Sequence, residues 1–271
     1  MSVGAVTMSD TVYPVPESAA AITRTTMAQY QARYAQSLAD PDTFWRTEID
    51  RLDWLKKPTK MGNWSWDPVD IRWFEDGVLN ASVNCLDRQD PSRTAIIWEA
   101  DDPSTAPRHI TYGELLEETC RMANALVALG VEKGDRVTLY LPMIPEAAAA
   151  MLACARIGAV HSVVFGGFSA EAIANRLEDA QSRFVITADE GRRGGKTVPL
   201  KATVDKALEI FDGVEAVLVI RHTGAKLAMH PERDHWWHEV RAQVPATCTP
   251  EPVNAEDPLF ILYTSGSTGK P

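Results

Sequence analysis

From about residue 94 onward, apolar positions alternate between two rhythms, one of short continuous runs and one recurring every three to four residues. Residues 94–98 and 109–111 are short β-type runs around an Asp/Pro-rich turn, which predicts a hairpin. Thr111 and Glu114 form a capping-box pair opening an amphipathic helix that ends near Gly130. Strands follow over 136–141, 159–165, 183–187 and 214–220. They are separated by helices over 145–157, 169–180 and 200–210, the first with proline at its first position. A last apolar run over 258–264 predicts another strand, and its unbroken hydrophobicity over 259–263 predicts burial on both faces. Short apolar strands alternating with helices predict an α/β fold, a parallel or mixed sheet layered with helices. In such folds ligands bind beyond the carboxyl ends of the strands.

Upstream the rhythm fails. Residues 1–21 read as a loose tail with two prolines. Residues 22–88 carry Trp45, Trp54, Trp64, Trp66 and Trp73, five of the eight tryptophans, punctuated by Asp40-Pro41, Pro58 and Asp67-Pro68. This composition predicts an irregular segment anchored on a larger body by its aromatic side chains. Residues 89–271 form the third region.

Composition narrows the function. The chain has 45% hydrophobic and 24% charged residues, as a globular protein with a core does. A net charge of −10 disfavours nucleic acid as a partner. Anionic ligands would therefore have to be held by small local clusters of cations. Cys85, Cys120, Cys154 and Cys248 form no CxxC pair and no zinc spacing, which fits reduced thiols in the cytoplasm. The N-terminus lacks a secretory signal, and the longest strongly apolar helical stretch, 147–155, is too short to span a bilayer.

Three strand-end loops could carry chemistry. Thr264-Ser265-Gly266-Ser267-Thr268-Gly269-Lys270 offers four hydroxyls, two glycines that admit an anion close to backbone N–H groups, and one ammonium. It is not a Walker A loop, because position 264 is Thr and Lys270 is followed by Pro271. A generic Ser/Gly turn is the other reading. Arg192, Arg193 and Lys196, around Gly194 and Gly195, form the only dense basic patch of the acidic chain. They fit either a clamp for a phosphate that does not react or a solvated surface loop. In Phe165-Gly166-Gly167-Phe168-Ser169 the glycines allow a ligand to approach the backbone and Ser169 can cap the next helix, although a simple strand-to-helix turn has the same pattern. His230, His235 and His238 match no common zinc spacing, and the last two are placed on an amphipathic helix. No metal site is expected, and no Ser or Cys comes with a His/Asp partner for nucleophilic catalysis.

The segment "YTSGSTGKP" resembles the phosphate loop of the adenylate-forming superfamily. "FWRTEIDRLDW", "WFEDGVLNASVNCLDR", "GDRVTLYLPMIPEAAAAMLACARIGAVHSVVFGGFSAEAI" and "ITADEGRRGGK" narrow the resemblance to the N-terminal portion of the acetyl-CoA synthetase (acetate–CoA ligase) family. The resemblance runs from about residue 22 to the end. Gln89 stands where the family usually has His, and Lys196 where Arg is also common.

The resemblance implies a ligase that activates acetate with ATP to acetyl-AMP and pyrophosphate, then transfers the acetyl group to coenzyme A. Residues 264–270 would hold the ATP β- and γ-phosphates. Arg193, Gly194, Gly195 and Lys196 would bind the phosphate-bearing end of CoA, and Gly167 would lie along the pantetheine route. It also implies that the acetate pocket, the Mg²⁺ ligand and the catalytic lysine lie beyond residue 271. The chain is then expected to be the first part of the large adenylation domain, cut in its phosphate loop and inactive alone. No catalytic residue is assigned within it, and the oligomeric state stays open. Rival readings are a ligase for another short acid such as propionate, a non-catalytic nucleotide- or CoA-binding polypeptide, and a P-loop hydrolase, which the loop spacings disfavour.

Overall fold

The structure, a computed structural model, describes residues 13–264, and the chain divides into two compact units, residues 1–50 and 51–271. In the first unit, helices α1 (Glu17–Ile22), α2 (Met27–Ala39) and α3 (Pro41–Glu48) form where a loose tail and an irregular segment are expected, and residues 1–12 of that tail lie outside the described residues. Thr26 and Gln29 close a capping box on α2. The Asp40-Pro41 step, read as a break, is a helix start: the Asp40 carboxylate accepts from Thr43 N at 3.1 Å and Pro41 takes the first turn, where its missing N–H is harmless. Arg33 ties α2 to α3 through Glu48 at 2.5 Å.

The second unit opens with an antiparallel hairpin, β1 (Gly62–Trp66) and β2 (Val69–Trp73), also more regular than its composition predicts. Trp64 and Trp73 stack across it at 5.3 Å, a cross-strand aromatic pairing that the two-residue strand period allows. After β3 (Val78–Leu79), the buried Asn80 amide donates to the carbonyls of Ala155, Arg156 and Glu251 at 2.9–3.1 Å. Buried Arg156 grips Asp87 through two hydrogen bonds of 2.9 and 3.0 Å. These polar groups help to fasten this stretch to the body of the unit.

The hairpin β4 (Thr94–Trp98) and β5 (Arg108–Thr111) leads into α4 (Tyr112–Ala128), whose Thr111–Glu114 capping box is present. Then come β6 (Arg136–Tyr140), α5 (Pro145–Arg156), β7 (Val160–Val163), α6 (Ala170–Ala180) and β8 (Phe184–Ala188). A small hairpin, β9 (Gly191–Arg193) and β10 (Lys196–Val198), precedes α7 (Leu200–Leu208) and β11 (Ala216–Ile220). The described residues end with β12 (Asp234–Trp236), α8 (Trp237–Arg241), β13 (Val253–Asn254), which pairs with β3, and β14 (Phe260–Ile261). His235 therefore lies in a strand and not on a helix with His238.

Six strands form one parallel sheet in the order β12-β11-β8-β6-β7-β14. Every residue of β8 and β11 is buried, as strands covered on both faces must be. The cover comes from two helix groups, α4 with α5 and α8, and α6 with α7. The last strand departs from expectation. Among the described residues β14 is two residues long, pairs only with β7 and leaves Leu259, Phe260 and Leu262 41–66% exposed. An edge strand has one neighbour, so an apolar run there is not buried by the sheet itself.

Candidate functional site

The strand order reverses around β6. The chain steps from β6 to β7 on one side, then crosses to β8 on the other, which opens a crevice at the carboxyl ends of these strands. A groove of about 1110 Å³ occupies that place, lined by Trp98, Pro142, Phe165, Gly166, Arg193 and His222 among others. Its size suits a nucleotide-sized ligand. A second concavity of about 610 Å³ contains none of the three strand-end loops singled out in the sequence, and its Arg241 is already paired with Glu118 at 2.8 Å.

The basic patch is the β9–β10 hairpin. Gly194 and Gly195 form its two-residue turn with φ of +57° and +74°, a left-handed pair that glycine adopts without strain and that matches the twist of a tight hairpin. Arg193 and Lys196 are direct cross-strand partners, so their side chains leave the hairpin on one face. Neither has a carboxylate within ion-pair distance among the described residues, and both are exposed. Gly191 is buried at the base of the hairpin, where a Cβ would stand 3.1 Å from Pro142.

The Phe165–Ser169 loop meets this hairpin although β6 separates their strands in the sheet. The Arg193 guanidinium lies 4.8 Å from the centre of the Phe165 ring, a cation–π contact that holds the long side chain over the groove. A Cβ at Gly167 would come within 3.0 Å of the Phe165 ring, so a side chain there would crowd Phe165, while Arg193 Nη1 at 3.6 Å would be in ordinary contact. Ser169 caps α6 by accepting from Ala172 N at 3.3 Å. Tyr140, whose pKa burial raises, donates from its hydroxyl to the Phe168 carbonyl at 3.1 Å and pins the loop from below.

Of the terminal loop, only Thr264 falls among the described residues; Ser265, Gly266, Ser267, Thr268, Gly269 and Lys270 lie outside them. Its approach is anchored. Tyr263 donates to Asp179 at 2.6 Å, and burial together with that carboxylate pushes the phenol pKa up to about 12. Arg176 lies 5.1 Å from the centre of the Tyr263 ring and 4.7 Å from that of Phe168, linking this approach to the Phe165–Ser169 loop.

Two carboxylates that no local pattern singled out organise the groove rim. Asp189, fully buried at the end of β8, accepts from the backbone N–H groups of Glu190, His222, Thr223, Gly224 and Ala225 at 2.8–3.1 Å. Burial pushes its pKa up, and these donors more than offset that, leaving it below the usual carboxylate range. Asp101, in the β4–β5 connection, accepts from Gly194 N and Gly195 N. The connection is held in place by Trp98 Nε1, which donates to the Met143 carbonyl at 2.7 Å. Among the described residues no group of three His, Cys, Asp or Glu side chains could hold a metal ion, and no helix is long and apolar enough to cross a membrane.

Residues 85–271 match the family described as AMP-binding enzyme, and residues 30–85 match the acetyl-coenzyme A synthetase N-terminus. The chain is 58% identical over 269 residues to an acetyl-coenzyme A synthetase of Bradyrhizobium diazoefficiens, and 59% identical over 269 residues to one of Parvibaculum lavamentivorans. Each alignment covers 97% of this chain, which spans 41% of the length of either relative. Among solved structures, the acetoacetyl-CoA synthetase from Streptomyces lividans superposes with a TM-score of 0.79 at 29% identity, over 89% of this chain and 37% of that one.

Proposed function

The chain belongs to the AMP-binding enzyme family, and from that membership we propose that it contributes the phosphate-loop approach and the CoA clamp of an acetate–CoA ligase. In the proposed reaction the acetate carboxylate attacks the α-phosphorus of ATP and pyrophosphate leaves. The CoA thiol then attacks the acetyl carbonyl, loses its proton, and displaces AMP. The observation that carries the acetate reading is 58–59% identity to acetyl-coenzyme A synthetases along nearly the whole chain, against 29% to the acetoacetyl-CoA synthetase.

Within this reading Arg193 and Lys196 grip a CoA phosphate, and Gly167 leaves room for the pantetheine arm. Thr264 begins the loop that wraps the ATP phosphates, completed by residues 265–270. Two cations on one face of a hairpin, neither in an ion pair among the described residues, in a chain of net charge −10, support the clamp. Mg²⁺ belongs to the proposed reaction as the counter-charge to the ATP phosphates, with no ligand assigned to it here. A cytoplasmic location goes with the same reading.

A chimera tests it, with this chain replacing the matching part of the Bradyrhizobium relative. Acetate-dependent ATP–pyrophosphate exchange and acetyl-CoA formation are expected. In the same chimera, Arg193→Ala should raise the KM for CoA roughly ten- to a hundredfold, the loss of a charge-assisted contact of about 1.5–3 kcal/mol. Pyrophosphate exchange, which needs no CoA, should stay near that of the unmutated chimera. A cooperatively folded chimera without acetate-dependent exchange would overturn the ligase reading. An unchanged KM in Arg193→Ala would remove the clamp.

A further inference from the structure

In a two-residue hairpin the ladder leaves the N–H groups of both turn residues unpaired, and in a phosphate-binding loop such groups usually face the anion. Here they do not await one. Asp101 Oδ1 accepts from Gly194 N at 2.7 Å and Oδ2 from Gly195 N at 2.8 Å, so one carboxylate saturates both turn donors from 93 and 94 residues away in sequence. The connection that carries Asp101 is itself ordered: Asp102 next to it accepts from Ser104 N at 2.9 Å and Ser104 Oγ at 2.7 Å.

We propose that Asp101 is a positioning residue for the phosphate clamp, fixing the left-handed Gly194-Gly195 turn so that Arg193 and Lys196 meet a CoA phosphate with their side chains alone. This rests on the clamp reading of the hairpin. A two-residue turn in which both residues are glycine has many alternative conformations, and glycine loses more freedom on ordering than any other residue. A bidentate, charge-assisted pair of hydrogen bonds selects one of them. The turn sets the register in which Arg193 faces Lys196, so loosening it spreads the two cations over many separations. The opposite role is also chemically possible, because a carboxylate seated on the turn donors occupies the place a phosphate would take. A competitor and a positioner differ in the sign of their effect, which makes the choice testable.

The experiment is a titration of the ¹⁵N-labelled chain with CoA and with dephospho-CoA, read at the Gly194 and Gly195 amides, for the unmutated protein, Asp101→Ala and Asp101→Asn. In the unmutated chain both amide protons should be shifted downfield and CoA should bind more tightly than dephospho-CoA. Asp101→Ala should move both amides upfield, weaken CoA binding about tenfold and leave dephospho-CoA binding unchanged. Asp101→Asn, which keeps the volume and one acceptor oxygen, should fall between. Tighter CoA binding by Asp101→Ala would make the carboxylate a competitor and overturn the proposal, as would unchanged CoA binding while the preference over dephospho-CoA persists. Equal binding of the two ligands by the unmutated chain, or binding of neither, would overturn the clamp reading itself and the positioning role with it.

Discussion

Asp189 and Asp101 each hold a glycine-bearing turn at the groove by accepting backbone N–H groups, yet one is sealed in the interior and the other lies in solvent. Their hydrogen-bond lengths are alike, so geometry does not separate them. Burial does. If the Asp189 carboxylate is removed, five donors around it lose their acceptor where water has poor access, and each unsatisfied group costs about 1–3 kcal/mol before relaxation. If Asp101 is removed, water replaces it at two exposed amides and the global fold loses little. The same chemistry therefore acts as a structural keystone at the end of β8 and as a local ordering device at the hairpin tip. A carboxylate that accepts backbone donors is informative about function only once its exposure is known.

The largest effect that would break this comparison is in stability. Asp189→Ala should lower the unfolding free energy by at least about 3 kcal/mol in urea titration, and Asp101→Ala by less than about 1 kcal/mol. Equal losses would mean that burial is not what distinguishes the two sites.

A smaller effect should appear in the pH dependence. The Asp189 pKa in the folded chain lies below the ordinary 3.8 of an unfolded aspartate. Its contribution is therefore fully present above about pH 4 and is lost as pH falls through the folded value. Asp234 shows the same direction: burial raises its pKa, and this is outweighed by Arg233, the His230 amide and Lys201. Between pH 4 and 2 the unmutated chain should lose stability more steeply than Asp189→Asn, by up to about 1.4 kcal/mol per pH unit. Parallel curves for the two proteins would remove Asp189 from the acid response.

The smallest effect separates turn strain from packing at the hairpin itself. Gly195 has a φ of +74°, and a Cβ there would meet no atom within 4 Å. Gly195→Ala should consequently cost about 1 kcal/mol from backbone conformation alone. Calorimetric melting of this variant beside Gly191→Ala, whose Cβ would press on Pro142 at 3.1 Å, distinguishes strain from crowding. A Gly195→Ala variant as stable as the original would show that the turn is not held in the left-handed region.

Much of the sheet was legible because its signals are local. Short runs such as Ala216–Ile220, and Phe184–Ala188 with Thr187 as its one polar residue, have only one way to be buried along their whole length, and the Thr111–Glu114 box marks a helix start within four residues. The helices within residues 17–48 and the hairpin over 62–73 were not legible, because prolines and tryptophans hid regular elements. Asp40-Pro41 is punctuation in a sequence and a cap in a helix. The His235 placement failed for a related reason: its three-residue strand is too short to show a period, and it exists because β11 offers an edge.

At the groove the division is sharper. Residue types and spacing were enough to mark Arg193, Lys196 and the glycines between them as a cationic turn, since charge and backbone freedom are properties of the residues themselves. They could not reveal that Arg193 and Lys196 face one another, that Phe165 lies under Arg193, or that Asp101 occupies the turn amides. The last two of these relations join positions 28 to 94 residues apart. Such distances are closed by the order of strands in the sheet and by the burial that drives it, neither of which is written in any one stretch of the chain.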